Sequence, residues 1–572
     1  MGNCSHCIPF SEPEYSEEDT IKISSDTIIG KYTQVSLLSP RCCYSYKSCS
    51  NQNLLDNIQL TKKQKKIFEK KISKSKAKTN KIKKNSIDTR NKLYLLTEND
   101  TIKSTSLSVS NYLFINEINN SPEKKYKMIN SLGQGSFGNV YLAENMYTKE
   151  KVAIKKLYKT LDITTESEII NEIEILKKLN HPNIVKVLEF YKTDQAYYIV
   201  SEYCNGGELF NKAESHLSER QICVIFKQIL SGLYYLHSKN IVHRDLKLEN
   251  ILISDIEYVP LTGEEYLDIK IIDFGNAKHF RKAIINKSIV GSSYYIAPEI
   301  FMKKSGKESD LWSAGVILYM LIVGHAPFEG ESDKKILSRI QKGVYEKSDL
   351  RYQKASPEVK DLIEKLLISD PKKRISAKDA LEHIWFKKYQ ANSLYYNITK
   401  NEILHCIQNL LSYDINNKFQ ELMLTYIVHN MPNKKQTKIA IGLFKLVNIN
   451  GDGKLQKEEF RKNLLYFVSE EYLINFDKIF SLLDSQNRGY IEYSEFLRAC
   501  LDRKNIVTEE NLKCAFSYFD KDNKGYFDEE QIKNFFKENK IKEQLYHLIF
   551  EEIDLNKNGK VDFEVFKSIM SY

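Results

Sequence analysis

Apolar residues recur every three to four positions in the second half of the chain. This spacing predicts amphipathic helices that each pack one face. The run SAGVILYMLIVG, Ser313 to Gly324, is apolar throughout but too short to cross a bilayer, so it predicts a buried helix. The clearest amphipathic series are Ile403, Ile407, Leu410 and Leu411, followed by Phe419, Leu422, Met423, Tyr426 and Ile427.

Four polar loops lie between apolar helical segments near the end of the chain. They begin at Asn448, Asp484, Asp520 and Asp554, so their starts are 36, 36 and 34 residues apart. Stacked helix–loop–helix units produce such a period. The sequence predicts a multidomain protein with four parts: a largely disordered arm (1–120), a domain of mixed strands and helices (126–386), junction helices (387–436) and an all-α region of four loops (437–572).

The chain has 572 residues and a formal net charge of +10, which is concentrated near the beginning. The segment Thr61 to Lys84 holds twelve lysines and one glutamate. It is either a solvated arm or a patch attracted to anionic membranes, to which each basic residue contributes roughly 1 kcal/mol. We expect no nucleic-acid partner. The cysteines form no disulfide or zinc framework, and no secretory signal is recognisable, so we expect a cytoplasmic protein.

The first residues, MGNCSHC, offer Gly2 for N-myristoylation and Cys4 for palmitoylation. A single acyl chain anchors a protein only marginally, so stable attachment would require the second chain or the lysine run. The alternative is a flexible polar start.

Glycines dominate the stretch SLGQGSFGNVYLAE. Gly133, Gly135 and Gly138 fit a hairpin whose backbone approaches a triphosphate without obstruction by side chains. Lys155 follows in VAIK, where its ammonium can hold phosphates, and Glu172 lies on a predicted helix that can orient this lysine.

Positioned charges follow in VHRDLKLEN and IIDFG. Asp245 can accept the proton of an attacking hydroxyl, and Lys247 can neutralise a transferring phosphoryl group. Asn250 and Asp273 can ligate Mg²⁺. With YYIAPE and DLWS downstream, these motifs resemble the eukaryotic protein kinase family over residues 126–386, which implies an α+β bilobal fold.

The resemblance implies an ATP pocket and a substrate preference. Because the lysine, the base and both metal ligands are present, an inactive pseudokinase is not expected. Glu208 and Glu249 match positions that face the substrate groove, where they would favour basic residues near the phosphorylated Ser or Thr. Ser201 would leave room behind the adenine. The implied ATP-binding residues are Leu132, Gly133, Gly135, Gly138, Val140, Ala153, Lys155, Glu172, Ser201 and Glu202.

Ser288 lies in a basic activation segment. Its phosphorylation would add about −1.5 to −2 charges opposite Arg244, so we predict a regulatory phosphosite at Ser288.

The domain order resembles that of calcium-dependent protein kinases, in which a junction blocks the kinase until an EF-hand lobe binds Ca²⁺. Each loop departs from the calcium pattern, through the initial Asn448, Arg488, Gln531 or Val565. The first loop is the best remaining site. The candidate ligands are Asn448, Asn450, Asp452, Lys454 and Glu459 in the first loop, Asp484 and Glu495 in the second, Asp520 and Asp522 in the third, and Asp554, Asn556 and Asn558 in the fourth.

The sequence therefore predicts a Ser/Thr protein kinase that uses ATP and Mg²⁺ and is regulated by its EF-hand region through Ca²⁺. Two alternatives stay open. The first is a calcium-insensitive kinase controlled at Ser288, and the second is a membrane-tethered scaffold whose EF-hand lobe holds a partner.

Overall fold

The computed structural model describes most of the chain after residue 114. Predictions for Gly2, Cys4, the lysine run and Ser288 lie outside the described residues. The described residues are 115, 117–135, 138–159, 163–213, 217–259, 263–279, 293–302, 306–331, 333–389, 398–415, 417–430, 434–484, 486–538 and 544–571.

A six-stranded sheet and one helix form the small lobe of the predicted kinase domain. The strand order is β1-β5-β6-β4-β3-β2. In β4, Val152, Ile154 and Leu157 are buried and pack against the neighbouring elements. The elements are β1 Glu117–Ile118, β2 Tyr126–Gly135, β3 Gly138–Asn145, β4 Lys151–Tyr158, β5 Val187–Lys192, β6 Ala196–Glu202 and α1 Ile163–Leu176.

Strand β1 pairs in parallel with β5, where Glu117 lies opposite Phe190. Ile115 is also buried in the core. The folded lobe thus begins upstream of residue 126, within the segment that the sequence assigned to the disordered arm. The two-residue strand gave no sequence signal because it has no alternation to detect.

Helices dominate the large lobe. Helix α3 begins with a capping box between Ser218 and Gln221, which satisfies free backbone N–H groups. The apolar run from Ser313 lies in α4 and is buried there, as predicted. The elements are α2 Leu209–Ala213, α3 Glu219–Ser238, β7 Ile241–Val242, β8 Ile251–Val259, β9 Glu264–Ile271, β10 Lys278–His279, α4 Lys307–Val323, α5 Asp333–Lys342, α6 Leu350–Lys354, α7 Pro357–Leu366, α8 Ala377–Leu381 and α9 Ile384–Lys388.

The C-terminal region consists of junction helices and two pairs of helix–loop–helix units. Within each pair a short antiparallel ribbon joins the loops: β11 with β12, and β13 with β14. The elements are α10 Lys400–Leu411, α11 Lys418–Asn430, α12 Lys434–Val447, β11 Lys454–Gln456, α13 Lys457–Leu464, α14 Phe476–Leu483, β12 Tyr490–Glu492, α15 Tyr493–Cys500, α16 Arg503–Ile506, α17 Glu509–Ser517, β13 Tyr526–Asp528, α18 Glu529–Glu538, α19 Gln544–Ile553, β14 Lys560–Asp562 and α20 Phe563–Ser571.

Both junction helices contribute to the core of this C-terminal region. Phe419 of α11 contacts Phe519, Phe527 and Phe566, with ring centroids 6.0, 6.1 and 6.0 Å away. The helix is therefore a packing element of the lobe. Within the described part of the chain, no helix is both long enough and apolar enough to span a membrane.

Candidate active site and calcium loops

The glycine-rich stretch forms the hairpin of β2 and β3, with Gly133 opposite Val140 and Gly135 opposite Gly138. The exposed Leu132 precedes the first of these pairs. The turn itself, residues 136–137, is not described. The backbone of this hairpin presents no bulky side chain at its glycines, as expected for a phosphate-covering loop.

Neighbouring strands bring the predicted adenine-pocket residues together. Ala153 of β4 lies opposite Ser201 of β6, whose Oγ donates to the Ala153 carbonyl oxygen at 3.4 Å. The Glu202 carboxylate accepts from the backbone N–H of Lys186 at 2.8 Å and pairs with Lys270 at 3.0 Å. Ser201 and Glu202 thus mark the strand that leads from one lobe to the other.

Lys155 joins three elements. Its Nζ lies 2.8 Å from Glu172 Oε1 on α1 and 3.0 Å from Asp273 Oδ1 after β9. Burial alone would lower the pKa of Lys155, but the two carboxylates outweigh burial and hold that pKa well above its ordinary value. Despite its own burial, Asp273 has a pKa below the ordinary value because Lys155 stabilises its charge. Both partners are therefore charged at neutral pH.

Asp245, Lys247 and Asn250 meet in one loop. The Lys247 Nζ lies 3.2 Å from Asp245 Oδ2. The Asn250 side-chain amide donates to the Asp245 carbonyl oxygen at 2.8 Å and to its Oδ2 at 3.2 Å, which leaves the Asn250 Oδ1 as an acceptor. The predicted base, phosphate-neutralising cation and metal ligand are thus assembled.

Asp310 accepts hydrogen bonds from the backbone of this loop, a role that the sequence did not predict. Its carboxylate accepts from the backbone N–H groups of His243 and Arg244, each at 2.9 Å, and lies 2.9 Å from His237 Nε2. Arg244 has a φ of 71°, a strained value for a residue other than glycine. Asp310 therefore holds the backbone before Asp245 in place. The sequence marks Asp310 only as part of the DLWS motif, which does not reveal these backbone partners.

Two further carboxylates lie on the predicted substrate side. Glu208 is exposed at the start of α2, and Glu249 is partly buried. Burial raises the pKa of Tyr295 above its ordinary value, and the nearby Glu249 carboxylate raises that pKa further. Arg374 and Glu299 form a buried bidentate pair, with N–O distances of 2.6 and 3.0 Å, which fixes the end of the activation segment to the large lobe.

The first calcium loop brings its predicted ligands together around an amide. The Asn448 Nδ2 donates to Asn450 Oδ1 at 3.0 Å, Asp452 Oδ1 at 3.1 Å and the Lys454 carbonyl oxygen at 2.7 Å. Asn450 in turn donates to Glu459 Oε2 at 3.1 Å. Among the described residues, no cluster of three or more His, Cys, Asp or Glu is placed to hold a metal.

The second loop differs because its own arginine contacts the predicted ligands. Arg488 Nη2 lies 2.6 and 2.5 Å from the two oxygens of Glu495, and Arg488 Nε lies 3.5 Å from Asp484 Oδ1. The sequence identified Arg488 as a missing oxygen ligand. The sequence did not reveal that the Arg488 guanidinium would form ion pairs with both candidate calcium ligands, Asp484 and Glu495.

In the third and fourth loops, the aspartate at the first loop position accepts a hydrogen bond from the backbone N–H of the loop glycine. Asp520 accepts from the Gly525 N–H, and Asp554 accepts from the Gly559 N–H, both at 2.8 Å. The Gln531 Oε1 accepts from the Asp528 N–H at 2.9 Å. Val565 is buried against the core. Asp522 pairs with Lys524, and Asn558 accepts from Lys560 N, so in both loops one or more candidate ligands contact the loop itself.

These features define a bilobal protein kinase followed by EF-hand pairs. The protein kinase domain model matches residues 126–386, an EF-hand model matches 444–465, and an EF-hand domain pair model matches 509–571. The chain is 35% identical over 505 residues to calcium-dependent protein kinase 4 of Plasmodium falciparum, covering 83% of this chain and 94% of that relative. It is 34% identical over 498 residues to calcium-dependent protein kinase 4 of Plasmodium berghei, covering 82% and 93%.

The chain belongs to the calcium-dependent protein kinase family. The predicted fold class and enzyme class are confirmed: the protein is a Ser/Thr protein kinase with a C-terminal EF-hand region. A kinase domain implies ATP and Mg²⁺ as cofactors and proteins as substrates.

Proposed function

We propose that the chain phosphorylates Ser or Thr in protein segments rich in basic residues, and that Ca²⁺ bound at the first loop regulates this activity. The arrangement that supports the phosphoryl transfer itself is the Lys155 ammonium held between Glu172 and Asp273 at 2.8 and 3.0 Å. An intact pair of this kind is required for phosphate binding by protein kinases.

The residues of the cleft divide the work. Asp245 accepts the proton of the substrate hydroxyl, and Lys247 neutralises the oxygen charge that develops beside it. Lys155 would hold the phosphates, while Asn250 and Asp273 would hold the metal. When bound, ATP supplies the phosphoryl group and Mg²⁺ neutralises its charge. Asp310 keeps the base in position through the backbone of its loop.

Substrate and inhibitor preference follow from neighbouring side chains. Glu208 and Glu249 would attract Lys or Arg upstream of the phosphorylated residue. The small Ser201 leaves space behind the adenine, so bulky ATP-competitive inhibitors should bind, and Ser201→Met should reduce their affinity. A Glu208→Gln variant should raise KM for a basic peptide more than for a neutral peptide.

The first calcium loop lies against the kinase domain, which supports its regulatory role. The Ser231 Oγ of α3 donates to the Gly451 carbonyl oxygen at 2.8 Å. A Cβ added at Gly453 would lie 2.8 Å from His181 and 2.9 Å from Tyr235, so only glycine fits there. Lys445 of α12 also pairs with Asp268 of the large lobe. A change in this loop on Ca²⁺ binding would therefore reach the kinase domain directly.

The test is phosphorylation of a basic peptide by the purified full-length protein with Ca²⁺ or with chelator. We expect stimulation by Ca²⁺, and loss of activity in both conditions for Asp245→Asn, by roughly 10² to 10⁴ in rate. Equal rates with Ca²⁺ and chelator would contradict calcium regulation. No activity in either condition would favour the scaffold.

Two proposals concern residues outside the described part of the chain. Phosphorylation of Ser288 would place a dianion opposite Arg244 and increase activity, and Ser288→Ala would test it. Acylation at Gly2 and Cys4, with the lysine run, would attach the enzyme to anionic membranes. In that case Gly2→Ala should move the protein to the soluble fraction.

A further inference from the structure

The second EF-hand encloses a charged group of its own. Its twelve-residue loop runs from Asp484 to Glu495, and Arg488 stands at the fifth position, where a calcium loop has an oxygen ligand. The Arg488 guanidinium bonds both oxygens of the closing Glu495 at 2.5 and 2.6 Å, and approaches Asp484 at 3.5 Å and Glu492 at 3.4 Å. These carboxylates belong to the first, ninth and twelfth positions of the loop.

A cation that contacts the first, ninth and twelfth positions has the contacts that a bound Ca²⁺ would use. Arginine keeps its charge at every accessible pH and matches a carboxylate in bidentate fashion. The side chains of Asp484 and Glu495 are buried, and the guanidinium also lies 5.0 Å from the ring centroid of Tyr490. Ca²⁺ and the Arg488 guanidinium would need the same space in the loop. Ca²⁺ could therefore bind only if the guanidinium, which is tethered to the chain, moved out of the loop.

The third loop shows that a basic residue at the fifth position is not sufficient. Lys524 occupies the equivalent place, but its side chain is exposed and its Nζ contacts Asp522 at 2.9 Å. The closing residue there is Gln531, which has no charge to offer. The internal ion pair is thus a property of the second hand that its arginine and glutamate create together.

Glu495 connects this ion pair to the junction. It lies in the first turn of α15, and Arg498 lies one turn further along the same helix. The buried Arg498 donates to Thr425 Oγ1 at 2.6 Å and to Glu421 Oε1 at 3.0 Å, both on junction helix α11. A contact that fixes the start of α15 therefore also fixes the side chain that binds α11.

We propose that Arg488 takes the place of calcium in the second hand, so that this hand keeps its cation-filled conformation and holds junction helix α11 whether or not Ca²⁺ is present. The proposal rests on the proposed calcium regulation through the first loop, which becomes the responsive member of the pair. The second hand would be a permanent anchor for α11.

The test uses full-length protein in chelator, with hydrogen exchange of α15 and α11 as the readout. We expect strong protection in the wild type. Arg488→Asp should lower protection of both helices at least tenfold in chelator, because four carboxylates then face one another, and Ca²⁺ should restore it. The matched control is Lys524→Asp, the same position and charge change in the third loop, which should leave both helices unchanged.

Calorimetric titration with Ca²⁺ provides a second measurement that does not depend on the folding of Arg488→Asp. Glu495→Gln should loosen α15 in chelator yet leave the number of bound Ca²⁺ ions unchanged. The proposal is overturned if Glu495→Gln removes one bound ion, or if Arg488→Asp keeps full protection in chelator. Failure of the proposed function would instead appear as equal kinase rates with and without Ca²⁺, and this leaves the chelator measurements intact.

Discussion

The first and second calcium loops both place a nitrogen donor where an ion would lie, yet the two donors differ in charge. In the first loop the donor is the neutral amide of Asn448, which bonds three oxygens. In the second loop it is the guanidinium of Arg488, which bonds Glu495. An amide can rotate and present its oxygen to Ca²⁺, whereas the half-buried guanidinium can leave only by breaking a charged pair. The same twelve-residue motif thus yields a replaceable donor and a permanent one.

The loops share one neighbour. The first contacts the kinase domain through Gly451 and Gly453. The second also contacts it, since the Ser494 Oγ accepts from the Asn180 side-chain amide at 2.8 Å. The second hand in addition reaches junction helix α11 through Arg498, so it links the enzyme to the junction.

The largest expected effect comes from removing the closing carboxylate of the first loop. Glu459→Gln should weaken Ca²⁺ binding roughly 100-fold, because a charged bidentate contact contributes about 3 kcal/mol. Calorimetry and peptide phosphorylation would measure the loss of binding and of stimulation. Glu495→Gln is the matched change in the second loop, and an equal loss there would erase the distinction between the loops.

A pair of glycine substitutions isolates the contact with the kinase domain. Gly453 and Gly489 are equivalent positions with φ of 74° and 81°, so alanine strains both loops alike, by about 1–2 kcal/mol. Only at Gly453 would the added Cβ meet kinase residues, while at Gly489 there is nothing within 4 Å. We expect Gly453→Ala to reduce calcium-stimulated activity about tenfold more than Gly489→Ala does. Equal effects would mean that the contact plays no part in regulation.

Charge at the first position of the first loop should tune affinity. Asn448→Asp replaces the central donor with a carboxylate, so Ca²⁺ binding should tighten roughly fivefold as the ligand charge increases. Titration of the full-length protein measures this change. A weaker affinity would show that the Asn448 amide oxygen is not a ligand.

The smallest expected effect is a pH dependence at the far end of α11. His429 is buried, and burial, aided by the nearby Lys186, lowers its pKa well below the ordinary value. The folded state therefore keeps the imidazole neutral, and stability is retained above the unfolded-state pKa but lost as the pH falls below it. Between pH 7.5 and 5.5 this should cost about 1 kcal/mol, measured as the free energy of unfolding.

The control for the pH effect is His429→Asn, which should remove this dependence. Because the second hand holds α11 without Ca²⁺, the loss should be the same in chelator and in calcium. A pH dependence of stability that appears only in chelator would instead mean that calcium controls how the second hand binds α11.

Much of the kinase site was readable from sequence because its chemistry is concentrated in short motifs. Lys155, Asp245, Asn250 and Asp273 could be assigned roles from the residues around them, and the fold brings them together as expected. Asp310 could not be assigned, because its partners are backbone N–H groups of a loop more than sixty residues away.

For the EF-hand loops, the sequence predicted the positions of the ligands but not the direction of every side chain. The period of the repeat and the ligand positions follow from local spacing, and so did the departures at Arg488 and Val565. The sequence could not tell whether Arg488 points to solvent or into its loop, because that choice depends on burial of Glu495 by the surrounding helices.

The sequence by itself determined the kinase class and the number of helix–loop–helix units, because these depend on residues close together in the chain, and it predicted the catalytic set from short motifs. The tertiary structure decided which nitrogen fills each loop, that Gly453 abuts His181, and that Arg498 binds Glu421. The last two of these contacts join segments that are 272 positions apart (453 − 181) and 77 positions apart (498 − 421). No local sequence pattern encodes such contacts. They form only when distant segments pack together, and a polar group buried between those segments is left with one possible hydrogen-bond partner.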